Sequence, residues 1–143
     1  MPDQAMIDLL NEHSPPCVKT LGGRTIALDA ERQCVMMGFD ISLDCCHSGN
    51  VVQGGFVTGM LDAAMAHAVF GSLGYFTPLP SLEIKVSFIA PALAGQFKAE
   101  GRVVRLGKSI AFLEASLLDP DDNLIATATS TAKIIRPKDS GPA

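Results

Sequence analysis

The sequence predicts an α+β protein: an antiparallel sheet of six strands, one long helix to cover it, and a short helix at the N-terminus. Three observations carry this. One stretch, "GGFVTGMLDAAMAHAVF" from Gly54 to Phe70, is apolar around every side of a helix and shows no two-residue alternation. From Ser81 onward the period switches to two, with Leu82, Ile84, Val86 and Phe88 set against Ser81, Glu83, Lys85 and Ser87. Turn-forming clusters then cut the remaining chain into lengths that suit strands.

The elements follow in order. Asp3 to Glu12 carries Met6, Leu9 and Leu10 at helical spacing behind a capping Asp, and "SPP" from Ser14 to Pro16 stops that helix. Thr25–Asp29 and Gln33–Asp40 read as a hairpin around the polar residues Ala30 to Arg32. Ser42 to Gly49 reads as a loop, and Asn50 as a turn residue in the left-handed region. The long helix runs from Gly54 to Phe70 and ends in "GSLGYFTPLP". Four strands complete the chain: Ser81–Phe88, Gln96–Leu106, Ser109–Leu118 and Asn123–Ile135, separated by "APALAG", "LGK" and "DPDDN". The tail over 137–143 frays. One helix covers only part of one face of such a sheet, so a homo-oligomer is expected.

Composition narrows the function classes. A chain of 143 residues suits one domain over 1–143, able to bury roughly two thirds of its unfolded surface. Apolar residues make up 48% and charged ones 18%, which excludes the disordered class. The net charge is −4 and eleven Lys and Arg are scattered along the chain, which argues against a nucleic-acid partner. Cys17, Cys34, Cys45 and Cys46 lack CxxC spacing, so they read as reduced thiols, not as a structural zinc site. The N-terminus has no basic stretch ahead of an apolar one, so the cytoplasm is expected. Asp62 in the middle of the long helix would cost about 2.5–3.5 kcal/mol in a membrane, which makes this a buried helix and no membrane span.

That helix is also the candidate site. At Gly54-Gly55 its first backbone N–H groups carry partial positive charge, and no side chain blocks an approaching oxygen. Asp62 lies about 12 Å further along, with Thr58 one turn before it on the same side. A carboxylate buried in an apolar segment needs a partner or a task. His67, five residues beyond Asp62, points more than a quarter-turn away, so it reads as a core or interface histidine.

Three segments together carry a resemblance: "NVVQGGFVTGMLDAAMAHAV", "SLEIKVSFIAPALAG" and "GRVVRLGKSIAFLEASLLDPDDNLIATATSTAKI". Over a core of about 18–135 the chain resembles the hotdog-fold acyl-CoA thioesterases, in the PaaI-like branch of the 4-hydroxybenzoyl-CoA thioesterase superfamily. The resemblance implies a curved six-stranded sheet wrapped around the long helix, assembled as a dimer or a dimer of dimers, with sites at the dimer interface. It also implies hydrolysis of an acyl-CoA without metal or cofactor. By position, the Gly54 N–H would polarise the thioester carbonyl, Asp62 would be nucleophile or general base, and Ser81 would help to place the water. Gly55 and Thr58 would line the substrate's path. Arg105, Gly107 and Lys108 of "VVRLGKS" would meet the phosphates of CoA, with Arg102, Arg136 and Lys138 as further cations.

Two positions depart from the family's pattern. Its usual His-Gly-Gly is Gln53-Gly54-Gly55 here, and six residues earlier stands His47, where Asn or Gln is common. Gln53 can still donate through its amide. His47 would orient the substrate, take part in acid–base chemistry, or simply be a solvated loop residue. The departures keep two alternatives open, a hydratase or dehydratase using His47 with Asp62, and a non-catalytic acyl-CoA-binding subunit.

Overall fold

In the computed structural model, which describes residues 3–137, six strands form one antiparallel sheet. The elements are α1 (Asp3–Glu12), α2 (Pro16–Thr20), β1 (Arg24–Asp29), β2 (Cys34–Ile41), β3 (Cys46–Ser48), β4 (Val51–Val52), α3 (Gly54–Leu73), β5 (Ser81–Phe88), β6 (Gly95–Leu106), β7 (Ile110–Leu118) and β8 (Leu124–Lys133). The sheet order is β1-β2-β6-β7-β8-β5, so β5, the strand that follows α3, closes the far edge beside β8. The expected strand and helix order holds.

The core lies between α3 and one face of the sheet. Alternation sends Phe97, Ala99 and Val103 of β6 and Ala111, Leu113, Ala115 and Leu117 of β7 inward, all buried. Met60, Leu61, Ala64, Met65 and Ala68 of α3 meet them, each at most 1% exposed. Small residues set the depth of the helix: a Cβ built on Gly101 would overlap the Ala64 carbonyl oxygen, so α3 rests directly on the β6 backbone. By length and composition alone α3 could cross a membrane, but here it is the core helix.

Several expectations need correction. α3 continues past Phe70 to Leu73, because its stop is Gly74 in the left-handed conformation (φ 86°). Pro16 does more than end the first helix; it opens the short helix α2, whose first turn suits a residue with no N–H. The expected loop from Ser42 to Gly49 holds a 3-10 turn at Leu43–Cys45 and strand β3, which pairs with β4 just beyond it. The left-handed residue there is Gly49 (φ 55°), not Asn50, since glycine carries no Cβ penalty. The tail beyond residue 137 lies outside the described residues, as does Lys138.

The two sheet edges are treated differently. At β1 the Asn11 side chain of α1 pairs with Thr25 as a peptide would, its Nδ2 donating to the Thr25 carbonyl (2.9 Å) and its Oδ1 accepting from the Thr25 N–H (2.8 Å). At β5 no strand among the described residues pairs with the outer edge, and Leu82 and Phe88 are 57% and 58% exposed. An unpaired edge of that kind is a template for another strand.

Candidate active site

The N-terminus of α3 is held by its flanks. The Val52 N–H bonds to the Ala92 carbonyl (2.8 Å) and the Gln53 N–H to the Cys45 carbonyl (2.9 Å), which fixes the chain on both sides of the entry to the helix. Gln53 is the cap. Its backbone carbonyl accepts from Phe56 (2.9 Å) and Val57 (3.3 Å), and its side-chain Oε1 accepts from Gly55 (2.7 Å). A Cβ on Gly55 would stand 2.7 Å from that Oε1, so the glycine makes room for the cap. Gly54 is then the one amide of the first turn with no acceptor among the described residues. The helix dipole and a free N–H coincide at that atom.

The Gly54 amide borders a groove of about 430 Å³ whose walls include His47, Val51, Val52, Val57, Phe88 and Ile125. His47 is the only titratable side chain among its described lining residues. It is exposed, and its Nδ1 shares a 2.8 Å hydrogen bond with Ser48 Oγ. Phe88, at the end of β5, stands over the helix start, with Cζ 3.2 Å from where a Cβ on Gly54 would lie.

Asp62 is elsewhere. Sequence reasoning expected a buried carboxylate; the structure leaves Asp62 exposed on the open side of α3, with Ser81 Oγ donating to its Oδ1 at 3.1 Å. The reason is that β5 and β8 lie at the sheet's far edge, so the helix face turned toward them is not closed over within one chain. Thr58 does not reach the carboxylate: its Oγ1 donates to the Gly54 carbonyl (2.9 Å). Neither Asp62 nor Ser81 lines the groove at Gly54. One chain therefore holds two candidate half-sites apart from one another, a donor end at Gly54 and Phe88 and a carboxylate end at Asp62 and Ser81.

The sequence profile of the family described as the acyl-CoA thioesterase N-terminal domain matches residues 43–132, which spans β3 through most of β8 and both half-sites. The chain belongs to that family. A Saccharolobus solfataricus protein, SSO1253, provisionally named an esterase, is 32% identical over 64% of this chain and 61% of its own length. The chain thus spans about three fifths of the length of that curated relative. Among solved structures, the phenylacetic acid degradation-related protein of Ralstonia eutropha JMP134 is 27% identical with a TM-score of 0.80, over 90% of this chain and 99% of that one. The E. coli PaaI protein of the phenylacetic acid degradation operon shares the fold at a TM-score of 0.79 and 16% identity, over 92% of this chain and 93% of that one. The fold is the hotdog, in the PaaI-like branch of these thioesterases.

Within this family frame, the remaining residues fall as follows. Arg102 forms an ion pair with Glu114 on the outer face of the sheet, away from α3. Gly107 turns the chain between β6 and β7, and Arg136 clamps that turn by donating to the carbonyls of Lys108 (2.9 Å) and Gly107 (3.2 Å). Arg105 is exposed on β6, just beyond a β-bulge, and lines neither groove. Lys108 lines a second groove of about 470 Å³ together with Ser109 and Lys133. Sequence reading missed Lys133. The Lys133 N–H bonds to the Pro80 carbonyl (2.9 Å) beside the start of β5, but neither Asp62 nor Ser81 is among the described residues lining this groove. The signal for it lay in register alone, since Ile110 pairs with Lys133 across β7 and β8.

Phe88 is the one phenylalanine among the described residues lining the Gly54 groove. Met60 is fully buried in the core. Phe76 packs on Phe70 (centroids 4.8 Å apart) and on His67, under α1. His67 is the core histidine that was expected: 2% exposed, its Nδ1 bonded to the Ala63 carbonyl at 2.8 Å, its pKa held below the ordinary range chiefly by burial.

Proposed function

We propose that this chain hydrolyses acyl-CoA thioesters at a site shared between two copies of itself. The observation that carries the reading is the Gly54 N–H, the first-turn amide without an acceptor among the described residues, at the border of a groove whose described lining holds no carboxylate. A thioester carbonyl placed there accepts from Gly54 and gains stabilisation as its oxygen becomes negative; loss of one such donor typically raises the barrier by about 2.7–4 kcal/mol.

The base comes from the partner. An antiparallel pairing of β5 with its copy, about a two-fold axis near Ile84 and Lys85, brings the Phe88 end of one strand beside the Ser81 end of the other. Phe88 marks Gly54 and Ser81 marks Asp62, so each pairing completes two sites. Asp62 of the partner subunit then takes a proton from water. The hydroxide oxygen bonds to the thioester carbon, the C–S bond breaks, and the thiolate leaves to be protonated, giving the free acid and CoA. Ser81 holds one carboxylate oxygen and leaves the other for the water. The groove lined by Lys108 and Lys133 supplies the cations that receive the phosphates of CoA. No metal or cofactor takes part in this scheme.

The test is release of free thiol from a panel of acyl-CoAs by the native chain and by Asp62→Asn. The Asn variant keeps the shape and loses the base, so turnover falls by about a hundredfold or more. A folded Asn variant with near-native turnover would refute the assignment.

A further inference from the structure

We propose that Phe88 is the specificity residue that gauges the carbon next to the thioester carbonyl, admitting a straight acyl chain and rejecting one branched at that carbon. This rests on the hydrolase reading above and goes further, because it assigns a selection rule to a side chain.

The geometry is local to the oxyanion donor. Phe88 meets Gly54 with the tip of its ring: Cζ and Cε1 lie 3.2 and 3.3 Å from the position of a Cβ on Gly54, and Cε2 lies 4.0 Å away. Carbon atoms rest at about 3.5–4.0 Å from one another, so the ring closes over Gly54 and a methyl group added there fits only if the ring gives by a few tenths of an ångström. A carbonyl oxygen hydrogen-bonded to the Gly54 N–H holds its own carbon within about 4 Å of that nitrogen. The next carbon of the acyl group therefore passes beside the ring. A methylene fits along the groove; a second substituent on that carbon is driven into the ring edge or off the amide.

Beyond this point the groove is lined by Val52, Val57, Ala92 and Ile125, all at most 5% exposed, and no charged side chain stands among its described lining residues. The restriction thus acts at the first carbon of the chain. Phe88 itself is 58% exposed within one chain, so its replacement leaves that chain's core intact; because β5 is the proposed seam, the variants are compared with the native chain at equal oligomeric state.

The test compares butyryl-CoA with isobutyryl-CoA, equal in carbon number and different only in branching, by thiol release from the native chain, Phe88→Ala and Phe88→Leu. A pocket discriminates one misplaced methyl group by about tenfold or more. The native chain is expected to favour butyryl-CoA in kcat/KM by at least about that factor. Phe88→Ala should bring the ratio close to one, mainly through faster turnover of isobutyryl-CoA, and Phe88→Leu should keep an intermediate preference. A native ratio near one, or a native-sized preference in folded Phe88→Ala, would overturn the proposal while leaving the hydrolase reading standing. Absence of thiol release from every acyl-CoA tested, straight or branched, would instead remove the hydrolase reading and this inference with it.

Discussion

Changing Gln53 to Glu should make the protein more stable and less active at once, and the two signs follow from one atom. Oε1 of Gln53 accepts from the Gly55 N–H at 2.7 Å. A carboxylate oxygen in that place keeps the cap and adds a negative charge at the positive end of α3, worth about 0.3–1 kcal/mol at an exposed helix start. For a domain of this size, that raises the thermal midpoint by roughly one to three degrees. The reaction suffers from the same charge. An oxyanion bonded to the Gly54 N–H sits about 5 Å from the new carboxylate, and two like charges at that distance repel by about 1 kcal/mol at the dielectric of water and about 3 kcal/mol at an effective value near 20. Turnover should therefore fall by roughly five- to two-hundredfold. Thermal unfolding and thiol release, measured on one preparation, read both effects. A Gln53→Glu variant that unfolds earlier than the native chain would show that the side chain is not the cap. One that keeps full activity would show that no negative charge develops at Gly54.

Two further outcomes follow from the fold. Gly101→Ala places a methyl group where the Ala64 carbonyl already stands, so α3 must lift from the sheet; overpacking of this kind costs about 1–3 kcal/mol, read as a lower midpoint in denaturant. A midpoint equal to the native one would mean that the helix does not rest on β6 as described. His67 is buried neutral, whereas the unfolded chain binds a proton at this side chain as pH falls through its ordinary value of 6.5. Stability is therefore present above that value and lost below it, by at most about 1.4 kcal/mol per pH unit, and His67→Leu should flatten the dependence between roughly pH 7 and pH 5. An unchanged slope in the leucine variant would place the titrating group elsewhere. Asp119 does not intrude on this window, because hydrogen bonds from Asn123 and Asp121 hold its carboxyl below its ordinary 3.8.

The parts of this fold that were legible in the sequence are those set by local periodicity. Alternation from Ser81 to Phe88 announces a strand wherever the chain lies, and the unbroken apolar run from Gly54 to Phe70 announces a core helix, because side-chain direction repeats every two residues in one case and every 3.6 in the other. The ends were less legible. Gly71, Ser72 and Leu73 stay helical because the left-handed cap falls at Gly74, and several glycines nearby offer the same signal. The "SPP" stop holds, but the helix that Pro16 opens was not legible, because a proline opens a helix as readily as it follows one.

The candidate site divides in the same way. The residue types and the spacing between Gly54 and Asp62 are sequence properties, fixed by 1.5 Å of rise per residue. Three things depended on long-range packing. Gln53 became a cap only because Cys45 and Ala92 hold the strand before the helix. Asp62 came out exposed, not buried, because β5 ends the sheet with its outer edge uncovered. Phe88 reached Gly54 across more than thirty positions because β5 pairs with β8 and returns along α3. By itself the sequence determined which chemistry is present, a free amide at a glycine helix start and a lone carboxylate two turns on. The tertiary structure alone decided that one chain keeps them apart and exposes both on its open side, because burial follows sheet order and edge, which no local pattern encodes.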